Sequence, residues 1–558
     1  MAILLTAVST WTSVVYCAIF LWSLTYGSPP EDTDPKQVRL SFGETTRDVV
    51  VMAATKENCS ARVMYGLDYF NLTTEVAGRG ALFDQSKMNP KGLHFLHRIV
   101  LKNLNPGVSY YYAVHCDESL TITYGFKVPK NDTNWSPKFL VYGDMGIESP
   151  IVRTLEKKIQ SVEYTAVLHL GDIAYQLESD GGMRGDKFMD MIEPIASRVP
   201  YLTTPGNHEV AQDTFVHYRY RFSTPTTGWP IPLKNMWYSI DIGPVHLISY
   251  NTEVFNMTDK QYIALQHDWL VSDLQMAKEN RETVPWIVAF AHKPFYCSNS
   301  NAHDCTRENS VVRKNLEDLF FQYSVDLILN GQQHSYERLW PTYKGTVHAD
   351  NYTDPTAPVS IISGTAGGSQ GVDPMERQPG VWTAVRIGND SMNSYGVLSV
   401  VNETHLHWEQ ISGVDDKKLD SFWISQGRHG GFVTVSPDEH SETNDGSNPS
   451  VHETHNTFSQ QATKVVQHVK EIIKSNKPVA IGVASTVSVL LLIGCLYVIV
   501  RCRRRKSSPR RWEKLDYDKS FYSDVKTAED DFSCDETEIH LDGNGTMPTS
   551  KLLSKSTV

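Results

Sequence analysis

Six residues in the middle of this chain have the types and spacing of metal ligands: Asp144, Asp172, Tyr175, Asn207, His292 and His334. Each closely follows a short apolar run. Phe139–Tyr142 leads into Gly143-Asp144-Met145-Gly146, Ala166–Leu170 into Gly171-Asp172-Ile173-Ala174-Tyr175, and Tyr201–Thr203 into Gly206-Asn207-His208-Glu209. Trp286–Phe290 leads into His292-Lys293-Pro294-Phe295-Tyr296, and Val325–Leu329 into Asn330-Gly331-Gln332-Gln333-His334. Hard oxygen donors mixed with imidazoles do not suit a structural zinc, which takes Cys and His; they suit two catalytic metals sharing a carboxylate. Two cations about 3.5–4 Å apart can bridge one hydroxide, lower its pKa, and hold both oxygens of an in-line phosphoryl displacement. Taken singly, an Asp after a strand is ordinarily a helix cap and a buried Tyr ordinarily packing. The five motifs in order carry the reading.

Such a site needs strands whose carboxyl ends meet. From Pro137 onward apolar strands alternate with amphipathic helices at Pro150–Gln160, Lys187–Ala196, Asp259–Lys278 and Val311–Tyr323, the pattern of an α/β fold. In such sheets ligands bind in the crevice at the strand ends, and glycines let the backbone turn there. Before Pro137 the runs Val38–Phe42, Val49–Ala53, Ala61–Tyr65, His97–Leu101, Ser109–His115 and Ile122–Val128 predict an all-β sandwich.

The 558 residues carry 52 Lys+Arg against 64 Asp+Glu, a net charge of −12, which excludes a nucleic-acid-coating protein. With 40% hydrophobic residues the chain can bury a core. Two apolar segments set the expected topology. Residues 1–27 read as a signal peptide, although no Lys or Arg marks their start. Residues 478–500 lack charge and run into Arg501, Arg503, Arg504, Arg505 and Lys506, as a stop-transfer helix does. The expectation is a single-pass type I membrane protein with its ectodomain extracellular or lumenal, at the plasma membrane or in endolysosomes.

Four cysteines then lie on the exported side, and joining near neighbours gives Cys59–Cys116 and Cys297–Cys305. No CxxC-like cluster suggests a thiolate metal site. Glycosylation sequons stand at Asn58, Asn71, Asn131, Asn134, Asn256, Asn351, Asn389 and Asn402, all between the apolar segments. Residues 425–477 turn to Gly, Ser, His, Asn and Asp and read as a stalk; 501–558 read as a cytoplasmic tail. The tail ends Ser556-Thr557-Val558, a terminus that PDZ domains can capture, and Tyr522-Ser523-Asp524-Val525 resembles an endocytic sorting signal. The chain carries no signal of oligomeric state.

The motif set Gly-Asp-x-Gly, Gly-Asp-x-x-Tyr, Gly-Asn-His-Glu, His-x-Pro-x-Tyr and His-Ser-Tyr-Glu-Arg resembles the purple acid phosphatases among the metallophosphoesterases. The likeness runs from about Pro35 to Trp423 and includes Pro358–Gly368, Ser394–Val397 and His405–Gln410. The segment His292–Asn299 with Asp304-Cys305-Thr306 is most similar to the animal high-molecular-weight members. The resemblance implies a mixed-sheet β-sandwich flanked by helices at 136–424, behind a fibronectin III-like domain at 28–130. It also implies hydrolysis of small phosphate monoesters at acid pH by a metal-bridging hydroxide.

Its implied centre is Fe(III) held by Asp144, Asp172, Tyr175 and His334. Asp172 bridges to a divalent ion, Zn, Fe or Mn, which also uses Asn207 and His292. His208 orients the phosphate or assists the leaving group, a task that suits an imidazole. The family's last motif is Gly-His-x-His, whereas this chain has Gly331-Gln332-Gln333-His334, so Gln332 replaces a ligand of the divalent site. A carboxamide oxygen is the weaker donor. The alternative is therefore an impaired phosphoesterase-fold receptor or binding ectodomain. His303, inside the expected Cys297–Cys305 loop, is a second candidate for leaving-group protonation. Glu337 and Arg338 are expected to brace the metal loop.

Overall fold

A computed structural model describes residues 34–83 and 92–432. The expectations for the signal peptide, the stalk beyond Phe432, the apolar segment 478–500 and the tail fall outside these residues. Among the described residues no helix is long and apolar enough to cross a membrane.

The first domain is a sandwich of two antiparallel sheets. One orders Lys36–Phe42, Val49–Thr55, Phe95–Leu101 and Arg79–Leu82; the other orders Thr74–Ala77, Ala61–Gly66, Ser109–Cys116 and Ser119–Leu120, with Tyr124–Lys127 also on Ser109–Cys116. Val38, Leu40, Val51, Val63, Ile99, Tyr112 and Val114 fill the space between them. The six predicted strands are present. The three short strands that sequence reading missed, Thr74–Ala77, Arg79–Leu82 and Ser119–Leu120, are mostly exposed and carry no apolar alternation. Val49–Thr55 is buried on both faces, which explains its unbroken apolar run. Its outward Val50 and Met52 pack with Leu96 against Trp229 of the second domain. Beside them Gln37 N donates to Glu193 Oε2 at 2.9 Å.

The second domain stacks two mixed sheets. We number the five strands that lead into the motifs: β1 (Lys138–Tyr142), β2 (Ala166–His169), β3 (Tyr201–Thr203), β4 (Trp286–Ala291) and β5 (Leu327–Asn330). One sheet runs β3-β2-β1 and continues through Ser394–Asn402, His405–Ser412 and Lys418–Ser425. The other runs Tyr238–Ile242, Val245–Ser249, β4, β5, Val359–Ser363, Tyr336–Leu339 and Thr383–Ile387. Strand periodicity of two divides the side chains between layers. Phe139 and Val141 of β1 meet Trp286, Val288 and Phe290 of β4 between the sheets. The alternate residues Leu140, Tyr142, Ile287 and Ala289 face outward onto helix residues such as Leu155, Phe188, Leu274 and Phe320.

The helices are Val152–Ser161, Met183–Ala196, Val216–Arg221, Gln261–Glu279 and Val311–Gln322. Four match predicted segments within a few residues. Val216–Arg221 is too short to display a helical repeat. Val311–Gln322 starts where it does because the Ser310 side chain caps it, accepting from Arg313 N at 3.1 Å.

Candidate metal centre

The motifs leave two sheets, not one. β1, β2 and β3 are mutually parallel in the first sheet, β4 and β5 are parallel in the second, and all five end at the same edge of the sandwich. Just past Asp144 and Asp172 the two-residue strands Met145–Gly146 and Ile173–Ala174 pair in parallel, which locks the first two motifs together.

Backbone conformation at these turns is unusual. Asp144, Asp172, Ala174, Tyr175 and Gln332 have φ of 61°, 54°, 65°, 55° and 68°. Non-glycine residues avoid this left-handed region, so a cluster of them marks strain held by the surrounding fold. Gly171 has φ of 85°, and a Cβ there would lie 2.7 Å from His292 Nδ1. At Gly331 a Cβ would lie 2.5 Å from Asp144 Oδ2. Both glycines are required by close approach.

Single ligand atoms of Asp144, Asp172 and His292 lie within 4.8 Å of one another, and all three residues are buried. His292 Nε2 lies 3.3 Å from Asp172 Oδ1 and 3.1 Å from Asn207 Oδ1. His334 Nε2 lies 3.4 Å from Asp144 Oδ1 and 2.7 Å from the Tyr175 hydroxyl. Both imidazoles are anchored from behind: His292 Nδ1 donates to Leu170 O and His334 Nδ1 to Gly371 O, each at 2.8 Å. That leaves each Nε2 facing the carboxylates, the arrangement that orients a metal-binding imidazole. His208 Nε2 stands 3.7 Å from Asp172 Oδ2, and its ring centroid is 4.7 Å from that of Tyr175.

The donor set fits cations. Asp144 Oδ2 accepts from Gln332 N at 3.0 Å, but the buried Oδ1 has nothing nearer than His334 Nε2 at 3.4 Å and makes no well-formed hydrogen bond, a poorly satisfied state that a cation relieves. Burial alone lowers the affinity of His292 for a proton, yet Asp172, then Asp144 and Glu253, raise it to about 10. His334, likewise opposed by burial, is raised to about 9 by Asp144 and Asp373. Burial and the Asp144 and Asp172 charges hold the Tyr175 hydroxyl strongly protonated, so a phenolate there calls for a highly charged cation.

Three family models match the chain: "Purple acid Phosphatase, N-terminal domain" over residues 35–140, "Calcineurin-like phosphoesterase" over 137–336, and "Iron/zinc purple acid phosphatase-like protein C" over 357–421. Acid phosphatase type 7 of Homo sapiens is 38% identical over 429 residues, covering 73% of this chain and 95% of that protein. The chain belongs to the purple acid phosphatase family. A more distant relative is probable purple acid phosphatase 20 of Arabidopsis thaliana, 28% identical, covering 71% of this chain and 88% of that one. The purple acid phosphatase PPD1 from yellow lupin (Lupinus luteus) seeds shares the fold at a TM-score of 0.61 and 22% identity, covering 71% of this chain and 75% of that structure. Family membership makes the protein a metallophosphoesterase and implies a two-metal centre.

Within this purple acid phosphatase the remaining expected residues sort as follows. Gln332 reaches the cluster through its backbone N–H on Asp144. His303 is apart from the carboxylates, and its Nδ1 meets Gln333 Nε2 at 2.8 Å. Glu337 accepts from Ser298 N at 2.8 Å and Thr383 Oγ1 at 2.6 Å, while Arg338 donates to Asp420 at 2.7 and 3.1 Å. Cys59–Cys116 and Cys297–Cys305 are both disulfides. All eight sequon asparagines are exposed.

Sequence reasoning missed two organising carboxylates. Glu209 accepts from Asp172 N, Ile173 N and Gly206 N at 2.9, 2.8 and 2.8 Å, binding the second motif to the third. Its place in Gly-Asn-His-Glu was the available signal. Asp373 accepts from His334 N at 2.8 Å, from a loop with no motif to announce it.

Proposed function

We propose that this protein is a membrane-anchored acid phosphatase acting on small phosphate monoesters. Asp144, Asp172, Tyr175 and His334 would hold Fe(III); Asp172, Asn207, His292 and Gln332 would hold Zn, Fe or Mn. The poorly satisfied, buried Asp144 Oδ1 beside Asp172 and His292 is the observation that carries this reading. When bound, the metals supply Lewis acidity and water activation for phosphoryl transfer. The chain's own residues do the positioning. Asp172 is held by Glu209 through the backbone and accepts from His208 N at 3.0 Å, so the His208 ring is tied to the same carboxylate. The partly buried His208, its Nε2 beside Asp172, would orient the ester and pass a proton to the departing oxygen. The apolar 478–500 segment with its basic flank supports the anchor, and the exposed sequons support a glycosylated ectodomain in the extracellular or lumenal space. The terminus Ser556-Thr557-Val558 supports a PDZ-domain partner.

Metal analysis with p-nitrophenyl phosphate turnover across about pH 4–8 tests the reading. Two metals per chain, a visible tyrosinate-to-iron band and an acid optimum are expected. One metal or none, without turnover after added iron, zinc or manganese, favours the second reading, a binding ectodomain, for which Gln332 is the specific observation.

A further inference from the structure

At one end of the first domain's second sheet, three aromatic rings stand in a row on the surface beside a glycosylation sequon. Tyr69 and Phe70 are the central residues of the turn between Ala61–Gly66 and Thr74–Ala77, and Phe70 is 92% exposed. Asp68 builds that turn: its backbone oxygen accepts from Asn71 N at 3.2 Å, and its Oδ1 from Phe70 N at 2.8 Å. The Tyr69 ring meets Phe70 edge to face at 5.0 Å between centroids, and Tyr111 in the same way at 5.6 Å. Single exposed apolar residues are ordinary, but a fixed row of them calls for a cover.

Strand register decides what can cover that row. Val63 pairs with Val114 and Tyr65 with Tyr112 on the face that fills the core, so the next position, Gly66 opposite Tyr111, falls on the solvent face. Two residues further on Asp68 pairs with Asn71, which puts the exposed Asn71 on the same face as Tyr111, next to Phe70. Asn71 opens the sequon Asn71-Leu72-Thr73. We propose that Asn71 carries an N-linked glycan whose first N-acetylglucosamine lies on the Tyr69–Phe70 row, a structural part of the first domain. This rests on the exported-ectodomain reading above. In the linking step Asn71 Nδ2 attacks C1 of a lipid-pyrophosphate-linked oligosaccharide; the N–C1 bond forms, the C1–O bond breaks with its electron pair leaving on the pyrophosphate, and the amide loses one proton to solvent. The ring C–H bonds of a sugar are slightly positive and the aromatic face is negative, so the first sugar fits over ring surface that water otherwise meets. At Asn256 and Asn351 the neighbouring rings, Phe255 and Tyr352, are already buried and offer no such surface.

The test uses the full chain made in a secreting eukaryotic cell and trimmed by an endoglycosidase that leaves only the first sugar on each occupied asparagine. Peptide mass spectrometry reads each sequon and thermal melts read stability. Asn71 is expected to be occupied. Asn71→Gln, and Phe70→Ala with Asn71 still occupied, are each expected to lower Tm by about 2 °C, the scale of one stacking contact in a chain of this length. The two losses should not add: in the Asn71→Gln background Phe70→Ala costs nothing further. Additive losses, or none, overturn the inference. So does an unmodified Asn71 beside occupied sequons elsewhere; if that chain also sediments as a dimer that Phe70→Ala dissociates, the row belongs to a second copy. Unmodified peptides at all eight sequons would take down the exported-ectodomain reading, and the inference with it.

Discussion

Two places in the second domain bury imidazoles against carboxylates, and they are built to opposite ends. At the strand ends His292 and His334 face Asp144 and Asp172 from loops in left-handed conformations, and Asp144 Oδ1 is left without a well-formed hydrogen bond. At the far side, His246 sits between Asp241 Oδ1 at 2.6 Å and Asp273 Oδ2 at 3.1 Å, while Ser239 Oγ donates to Asp273 Oδ1 at 2.5 Å. Those groups stand on regular strands and a helix, and each imidazole nitrogen has its own carboxylate. The second cluster closes on its own proton. The first leaves Asp144 Oδ1 poorly satisfied among residues in left-handed conformations, an arrangement that suits a cation. Residue types alone do not separate the two; saturation and backbone geometry do.

The sharpest way to break the comparison is Asp172→Asn. Among the described residues Asp172 is the carboxylate that meets His292, His208 and the Glu209-bound turn at once. Losing it should cost at least about 10³-fold in kcat/KM and one metal per chain, read by turnover and metal analysis. Asp273→Asn should leave both unchanged. Equal activity losses in the two variants would show that the strand-end cluster is not the catalytic one.

Gln332→His sharpens the comparison inside the first cluster. An imidazole in place of the carboxamide is expected to tighten the divalent ion about 10–100-fold, measured by chelator competition, and to raise activity at limiting metal. No change would mean that the second site is not crippled and that Gln332 already serves as a ligand. Chelation itself should lower Tm of the parent, since a ligand present at about 100 times its Kd adds about 2.7 kcal/mol to folding stability. Adding Asp144→Asn should abolish that chelator response.

Much of this was legible from the residues. The alternation in Phe139–Tyr142 and Trp286–Phe290 marks strands between layers, and each run ends on a motif, so the convergence of Asp144, Asp172, Asn207, His292 and His334 follows from chain order and strand direction. What was not legible depends on how loops approach one another. Nothing local tells that Asp373 will cap His334 N, that Glu209 will collect three N–H groups, or that the motifs are split over two sheets. The contacts of Gln333 with His303 and Cys305 are likewise made between loops and leave no trace in the motif. The three missed strands of the first domain are edge strands without apolar faces, where pattern has nothing to report.

The smallest expected effect tests the other side of the comparison. Burial disfavours a charged His246, but the Asp241 and Asp273 hydrogen bonds and charges outweigh it and raise the imidazole from 6.5 to about 9. A group that holds its proton more tightly folded than unfolded stabilises the fold fully below about pH 6.5, and that stabilisation is lost as pH rises through about 9. Half-exposed Asp241 is partly screened, so the contribution is on the order of 1–2 kcal/mol, smaller than the shift alone implies. Thermal melts of the chelated protein between about pH 6 and 10 should therefore show a declining Tm that His246→Gln flattens. In the chelated protein His292 and His334 lose their protons over the same range, so the part of the slope that His246→Gln removes is what reports the bracket. A slope that His246→Gln leaves intact would mean that the second cluster does not hold its proton, and that the two sites differ only in whether a metal reaches them.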